Sequence, residues 1–137
     1  MQSIRAWLAD HPDKVDEVLW HNRSYIFFRE AETGLADGPI AAAKVPLIPG
    51  RSLAVDRLIH TFGFPFFIRS EDLRHLDGGK SFERLMLALD TGSAIVGPAR
   101  GDIFTGSGDL AGEQAGTVRH DADFTILIPN AAAARFA

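Results

Sequence analysis

With 137 residues, 46% of them hydrophobic and 23% charged, the chain is long enough for one domain with its own apolar core and too ordinary in composition for a disordered or fibrous protein. Fourteen basic against eighteen acidic residues give a formal net charge of −4, so there is no basic field of the kind that binds nucleic acid or an anionic membrane surface. The lack of cysteine excludes disulfides, thiolate catalysis and cysteine-built zinc sites.

Residues 1–22 read as a helical lead-in. Ser3 is placed to act as an N-cap, Pro12 opens a second turn, and Val15, Val18 and Leu19 recur at the spacing of one buried helix face. Trp7 and Trp20 are expected to anchor these helices in a core. The first residues run into Asp10, His11 and Asp13 too soon for a secretory signal, and no window approaches the roughly twenty apolar residues of a membrane span. On these grounds the chain is either cytoplasmic or a mature or truncated piece.

From residue 23 the texture changes, and 23–137 is expected to fold as a separate, mainly β domain. Ser24-Tyr25-Ile26-Phe27-Phe28-Arg29 is β-rich, with loop signals at Glu32-Thr33-Gly34 and Asp37-Gly38-Pro39. Short strands follow on either side of Pro49-Gly50 and over 64–69, then a polar excursion over 72–81. Leu85 to Leu89 reads as a buried strand, Asp109 to Gly116 as a short helix, and Phe124 to Pro129 as the strand that closes the sheet. The tail 131–137 reads as a frayed helical end. Many short strands with Gly and Pro punctuation predict a small β-barrel.

Three aspartates, Asp56, Asp90 and Asp102, stand in or beside the apolar runs, two of them inside the glycine-punctuated stretch 90–106. Carboxylates converging in an apolar setting push each other's pKa values apart, which is how one of them stays protonated to serve as a general acid. Asp beside Gly is also the ordinary composition of a turn. Asp90 nevertheless falls at the carboxyl end of a strand, where loops on rigid scaffolds carry function.

Arg23 to Glu30, Val45 to Arg57 and Asp90 to Gly106, in this order and spacing, resemble the carboxyl-terminal part of the membrane-bound lytic murein transglycosylase A family, which contains a 3D domain named for three aspartates. The resemblance implies a double-psi β-barrel that cleaves the β-1,4 bond between N-acetylmuramic acid and N-acetylglucosamine of peptidoglycan, leaving a 1,6-anhydromuramoyl end. Position by position, it implies Asp102 as the single catalytic acid/base, Asp90 and Asp56 as its supporting aspartates, and Thr91, Gly92 and Gly97 as the loop that shapes the site. Ser93 stands where the family usually has a second glycine. Tyr25 and Phe104 lie in the family-like runs, where each is either a sugar-stacking ring or a core residue. The substrate implied is the peptidoglycan glycan strand, the location the bacterial cell envelope (periplasm or outer membrane), and open barrel edges allow pairing with a second copy.

Two other readings stay open. The resemblance also implies an inserted second domain that forms the other wall of a glycan groove, and a barrel without that wall binds glycan or a protein partner without turnover. Leu89-Asp90-Thr91-Gly92-Ser93-Ala94 also resembles the aspartic protease signature, for which two chains would each supply an Asp90. No cofactor is implied, and no metal: His11, His21, His60, His75 and His120 lack ligand spacing and cysteine partners. Gly106 to Gly112 misses the dinucleotide-binding spacing by one residue.

Overall fold

The computed structural model describes residues 2–24, 27 and 38–135, and the chain divides into two compact units, 1–35 and 36–137. The first unit holds α1 (Gln2–Asp10), a 3₁₀ turn over Pro12–Lys14, and α2 (Val15–Leu19). Pro12 opens that turn, where its missing N–H costs nothing. His11 stacks on Trp7 with ring centroids 4.2 Å apart, and its Nδ1 donates to the Trp7 carbonyl at 2.9 Å. Ser3 is not a cap, because α1 already begins at Gln2. The expected buried face is also absent: no residue of these helices is buried, and Trp7 and Trp20 are 40% and 79% exposed. The helices are too short for a wide apolar stripe, since α2 is little more than one turn. No helix among the described residues is long and apolar enough to cross a membrane. Tyr25, Ile26, Phe28 and Arg29 of the expected first strand lie outside the described residues.

The second unit contains β1 (Ser52–Val55), β2 (Pro65–Ser70), β3 (Phe82–Asp90), β4 (Gly101–Ile103), α3 (Asp109–Ala115), β5 (Asp123–Ile126) and a closing 3₁₀ helix over Asn130–Arg135. The strands form one sheet in the order β4-β1-β3-β2-β5, with β1 and β3 parallel and the other pairs antiparallel. Pro65 takes the first position of β2, the one place in a strand where a missing donor is tolerated. Phe66, Ile68 and Ser70 then turn inward, facing Phe82, Met86 and Ala88 of β3 and Leu53 and Val55 of β1. The 85–89 run is buried on one face only, since Leu85 and Leu87 are 45% and 43% exposed. Its alternation is masked in the sequence because both faces carry apolar side chains. Between Leu53 and Ala54 the register of β1 against β3 slips: Leu53 pairs with Ala88, but Ala54 pairs with Asp90. This is a β-bulge.

The sheet curls into a half-barrel. Gly101 lies on one edge strand and Phe124 on the other, yet a Cβ added at Gly101 would stand 2.9 Å from Cε1 of Phe124 and 3.0 Å from Cδ1 of Leu53. The edges therefore approach across the core, although β4 and β5 form no ladder with each other. Replacing Gly101 with Ala is expected to overpack this contact and cost about 1–3 kcal/mol, read as a lower urea midpoint. An unchanged midpoint would mean that the two edges stand farther apart than this packing requires.

Candidate active site

Ala54 is the centre of the site. In the sheet it pairs with Asp90 of β3 on one side and with Asp102 of β4 on the other. Residues directly opposite each other share a face, so Asp90, Ala54 and Asp102 form a row across three strands with only a methyl group between the two acids. Two strand spacings put their Cα atoms about 10 Å apart. Both acids line a cavity of about 180 Å³ whose walls include Leu47, Ser52 and Phe104. The cavity is small and partly apolar, and a residue larger than Ala at position 54 would fill it.

The two carboxylates are held differently. Oδ1 of Asp90 accepts the backbone N–H of Ala42 at 3.1 Å. A turn delivers that donor: Ile40 bridges to Pro46, and Ala43 N–H reaches the Leu89 carbonyl at 3.0 Å. Asp102 is about half exposed, and its Oδ1 has the Nε of Arg100 at 3.4 Å. That distance is long for a charge-assisted bond, so Asp102 remains available to a ligand.

Asp56 lies outside this cavity. It is buried at the end of β1, where Oδ1 accepts the N–H of Leu58 and Oδ2 the N–H of Gly97, each at 2.9 Å. Gly97 can present its N–H there because its φ of 110° suits glycine alone. The hydroxyl of Thr91 donates to the Val55 carbonyl at 2.9 Å, and Nε2 of His60 donates to the Pro98 carbonyl at 2.8 Å. These bonds fasten the loop after β1 to the 91–100 loop that joins Asp90 to Asp102. The Gly97 bond, then the Leu58 bond, hold the Asp56 carboxyl below its ordinary value of 3.8, with a further contribution from His60 and against the opposing effect of burial.

A group depressed in this way stabilises the fold fully above its unfolded value, and that stability is lost as pH falls through the folded value. Asp56→Asn is therefore expected to lower the denaturation midpoint at pH 7 and to differ less from the parent near pH 3. A gap that is the same at both pH values would exclude the charge as its source.

Of the residues singled out in the sequence, Asp90, Asp102 and Phe104 meet at one cavity. Asp56, Thr91 and Gly92 line a second, with Ser93 and Leu58 among its walls. Gly97 supports Asp56 from behind, and Tyr25 lies outside the described residues. Ser93 needs no glycine, for Lys44 is the single non-glycine residue at positive φ among those described. Ala54, Leu47 and the Ala42 N–H were not foreseen. Only the period-two pattern Ser52, Ala54, Asp56 hinted at Ala54, and nothing local marks the other two. Among the described residues no group of three His, Asp or Glu is gathered as a metal site.

The family model of the 3D domain matches residues 51–128, more than half of the chain, a span that contains the whole curled sheet and both acids. The MltA specific insert domain matches residues 1–29. The chain belongs to the membrane-bound lytic murein transglycosylase A (MltA) family, carrying its 3D domain and a portion of its insert domain. Among solved structures, a membrane-bound lytic murein transglycosylase from Agrobacterium tumefaciens is 74% identical with a TM-score of 0.90, over 99% of this chain and 37% of its own. MltA from Neisseria gonorrhoeae is 42% identical with a TM-score of 0.77, over 94% of this chain and 32% of its own. Escherichia coli MltA with bound chitohexaose is 34% identical with a TM-score of 0.77, over 91% and 37% respectively. The chain thus spans about a third of the length of these relatives. No curated protein matches it significantly.

Proposed function

We propose that the chain carries the catalytic barrel of a peptidoglycan lytic transglycosylase, with Asp102 as its single general acid/base. The observation that supports this most directly is the row Asp90–Ala54–Asp102: one accessible carboxyl, one carboxylate tethered by a backbone N–H, and a methyl-floored space between them. Ordinary glycosidases need two working carboxyl groups because water must be activated or the sugar captured. Here the muramoyl C6 hydroxyl does that work from within the substrate, and its proximity replaces the second group. Asp102 gives its proton to the glycosidic oxygen as the bond from C1 breaks, releasing the 4-hydroxyl of N-acetylglucosamine. O6 bonds to C1, closing the anhydro ring, and its proton returns to Asp102. Asp90, fixed by Ala42, orients the site, while Asp56, Thr91 and Gly97 hold the loop between the acids.

The curled sheet is the larger part of a double-psi barrel in this reading, and Phe104 and Tyr25 are its candidate sugar-stacking rings. Peptidoglycan strands are the partner and the bacterial cell envelope the location, consistent with a relative described as membrane-bound. The outer edges of β4 and β5, which pair with no further strand among the described residues, are where a second copy would pair, a state that sedimentation reads directly. The protease alternative is left with Asp90 facing Asp102 of its own chain, in a family of transglycosylases.

The test is digestion of purified peptidoglycan in ¹⁸O-labelled water followed by mass spectrometry. Anhydromuropeptides without label are expected, because no water enters the products. Labelled reducing ends would replace the reading with hydrolysis, and no product from the folded chain would leave a glycan-binding barrel without turnover.

A further inference from the structure

Asp102 borders two cavities. Besides the one it shares with Asp90, it forms part of the wall of a larger cavity of about 720 Å³ between β4 and the connection from α3 to β5. The size is that of a small-molecule site. Its lining carries the guanidinium groups of Arg100 and Arg119 and the imidazole of His120 against the single acid Asp102, in a chain whose net charge is −4. The cationic character is therefore local to this place. Among the described residues the Arg119 guanidinium makes no ion pair and no hydrogen bond. The His120 ring lies 5.5 Å from that of His75, whose Nε2 meets the Thr117 hydroxyl at 3.0 Å, and its Nδ1 accepts the N–H of Arg119 at 3.2 Å. The floor is apolar, from Ile103, Ala115 and Val118. Val118 and Ile103 also pack on the core, which fixes the floor in place.

We infer that this cavity is an anion subsite that takes the carboxylate-bearing substituent of a muramoyl residue, the lactyl group or the peptide stem attached to it. The inference rests on the transglycosylase reading and deepens it. A glycan strand with its scissile bond at Asp102 must place something on each side of that residue. The cavity shared with Asp90 has room for part of one sugar, whereas the larger one offers two guanidinium groups, the side chain best suited to grip a carboxylate in a bidentate manner. Arg100 serves both sides: its weak contact with Asp102 is exchanged for the incoming carboxylate, which frees the acid/base as substrate arrives. Recognition of this kind separates murein from neutral polymers of N-acetylglucosamine.

Isothermal titration of the full chain tests it with four probes: chitohexaose, the disaccharide with a free lactyl carboxylate, the disaccharide-dipeptide, and that dipeptide with its carboxylates amidated. The dipeptide acid is expected to bind about tenfold more tightly than its amide, the ratio expected of one charge-assisted contact. The ratio should fall toward one in Arg119→Ala, recover in part in Arg119→Lys, and shrink with added salt. A lactyl probe that matches the dipeptide assigns the site to the lactyl group, and a weaker one assigns it to the stem. Equal binding of acid and amide while chitohexaose binds overturns the subsite and leaves the transglycosylase reading intact. Failure of every probe overturns both. A dipeptide preference that survives Arg119→Ala together with Arg100→Ala places the contact elsewhere and overturns the inference.

Discussion

Asp102→Asn is expected to lower the release of anhydromuropeptides by about 10²–10⁴-fold, the range that a positioned proton donor contributes. The amide cannot give a proton to the glycosidic oxygen or accept one from the C6 hydroxyl, yet it keeps the shape of the acid. Stability should hardly change, because the Asp102 carboxylate is about half exposed and its ion pair with Arg100 is long; exposed pairs of this kind contribute about 0–1 kcal/mol. The loss should appear in kcat with KM little altered, since an interaction made only in the transition state is removed. Asp90→Asn is the comparison: it retains an oxygen for the Ala42 N–H and should cost less. If the two variants lose activity equally and Asp102→Asn also weakens glycan binding, the assignment of acid/base to Asp102 fails.

Phe66→Ala is expected to destabilise the β unit by about 3–5 kcal/mol, a large share of the roughly 5–15 kcal/mol that holds a typical domain together. Phe66 is 1% exposed and belongs to the core cluster with Leu53, Val55, Ile68, Phe82, Met86 and Ala88. Its ring meets that of His60 edge-on at 5.0 Å and that of Phe124 at 6.4 Å. One truncation thus loosens the barrel centre, the edge strand β5 and the loop that His60 ties to Pro98. Urea unfolding of the variant should show a lower midpoint with an unchanged slope. The milder Phe66→Leu should recover most of the loss, and failure to recover would point to the His60 contact instead of core volume.

The elements that the sequence reveals well are those whose neighbours in the chain decide them. β2 shows its alternation openly as Phe66, Ile68 and Ser70 against Phe67 and Arg69, and α3 is bounded by Gly108 and Gly116. Placement of Asp90 at a strand end is legible for the same reason. The exposure of Trp7 and Trp20 is not, because spacing shows which residues share a face and not whether anything covers it. The two-faced apolar character of 85–89 is hidden likewise, and so is the cationic cavity, whose Arg100 and Arg119 are joined only by the curl of the sheet. Asp56 is legible as a special residue, but its clamp on Gly97 spans 41 positions.

The bulge at Leu53 and Ala54 decides what Asp90 can be. Had the ladder run on without a slip, Ala54 would stand opposite Leu89 and Val55 opposite Asp90. Side chains change face at every step of a strand, so Asp90 would then share the inward face of Val55, which is 1% exposed. A charge there would be turned against the hydrophobic interior, far from its counterpart on β4. One surplus residue rotates it to the outside, beside Asp102. Removing Leu89 takes out the surplus residue itself and leaves Ala54 opposite Asp90 in a regular ladder, so the row of acids should survive that deletion, whereas a register that kept Leu89 without the slip would not preserve it.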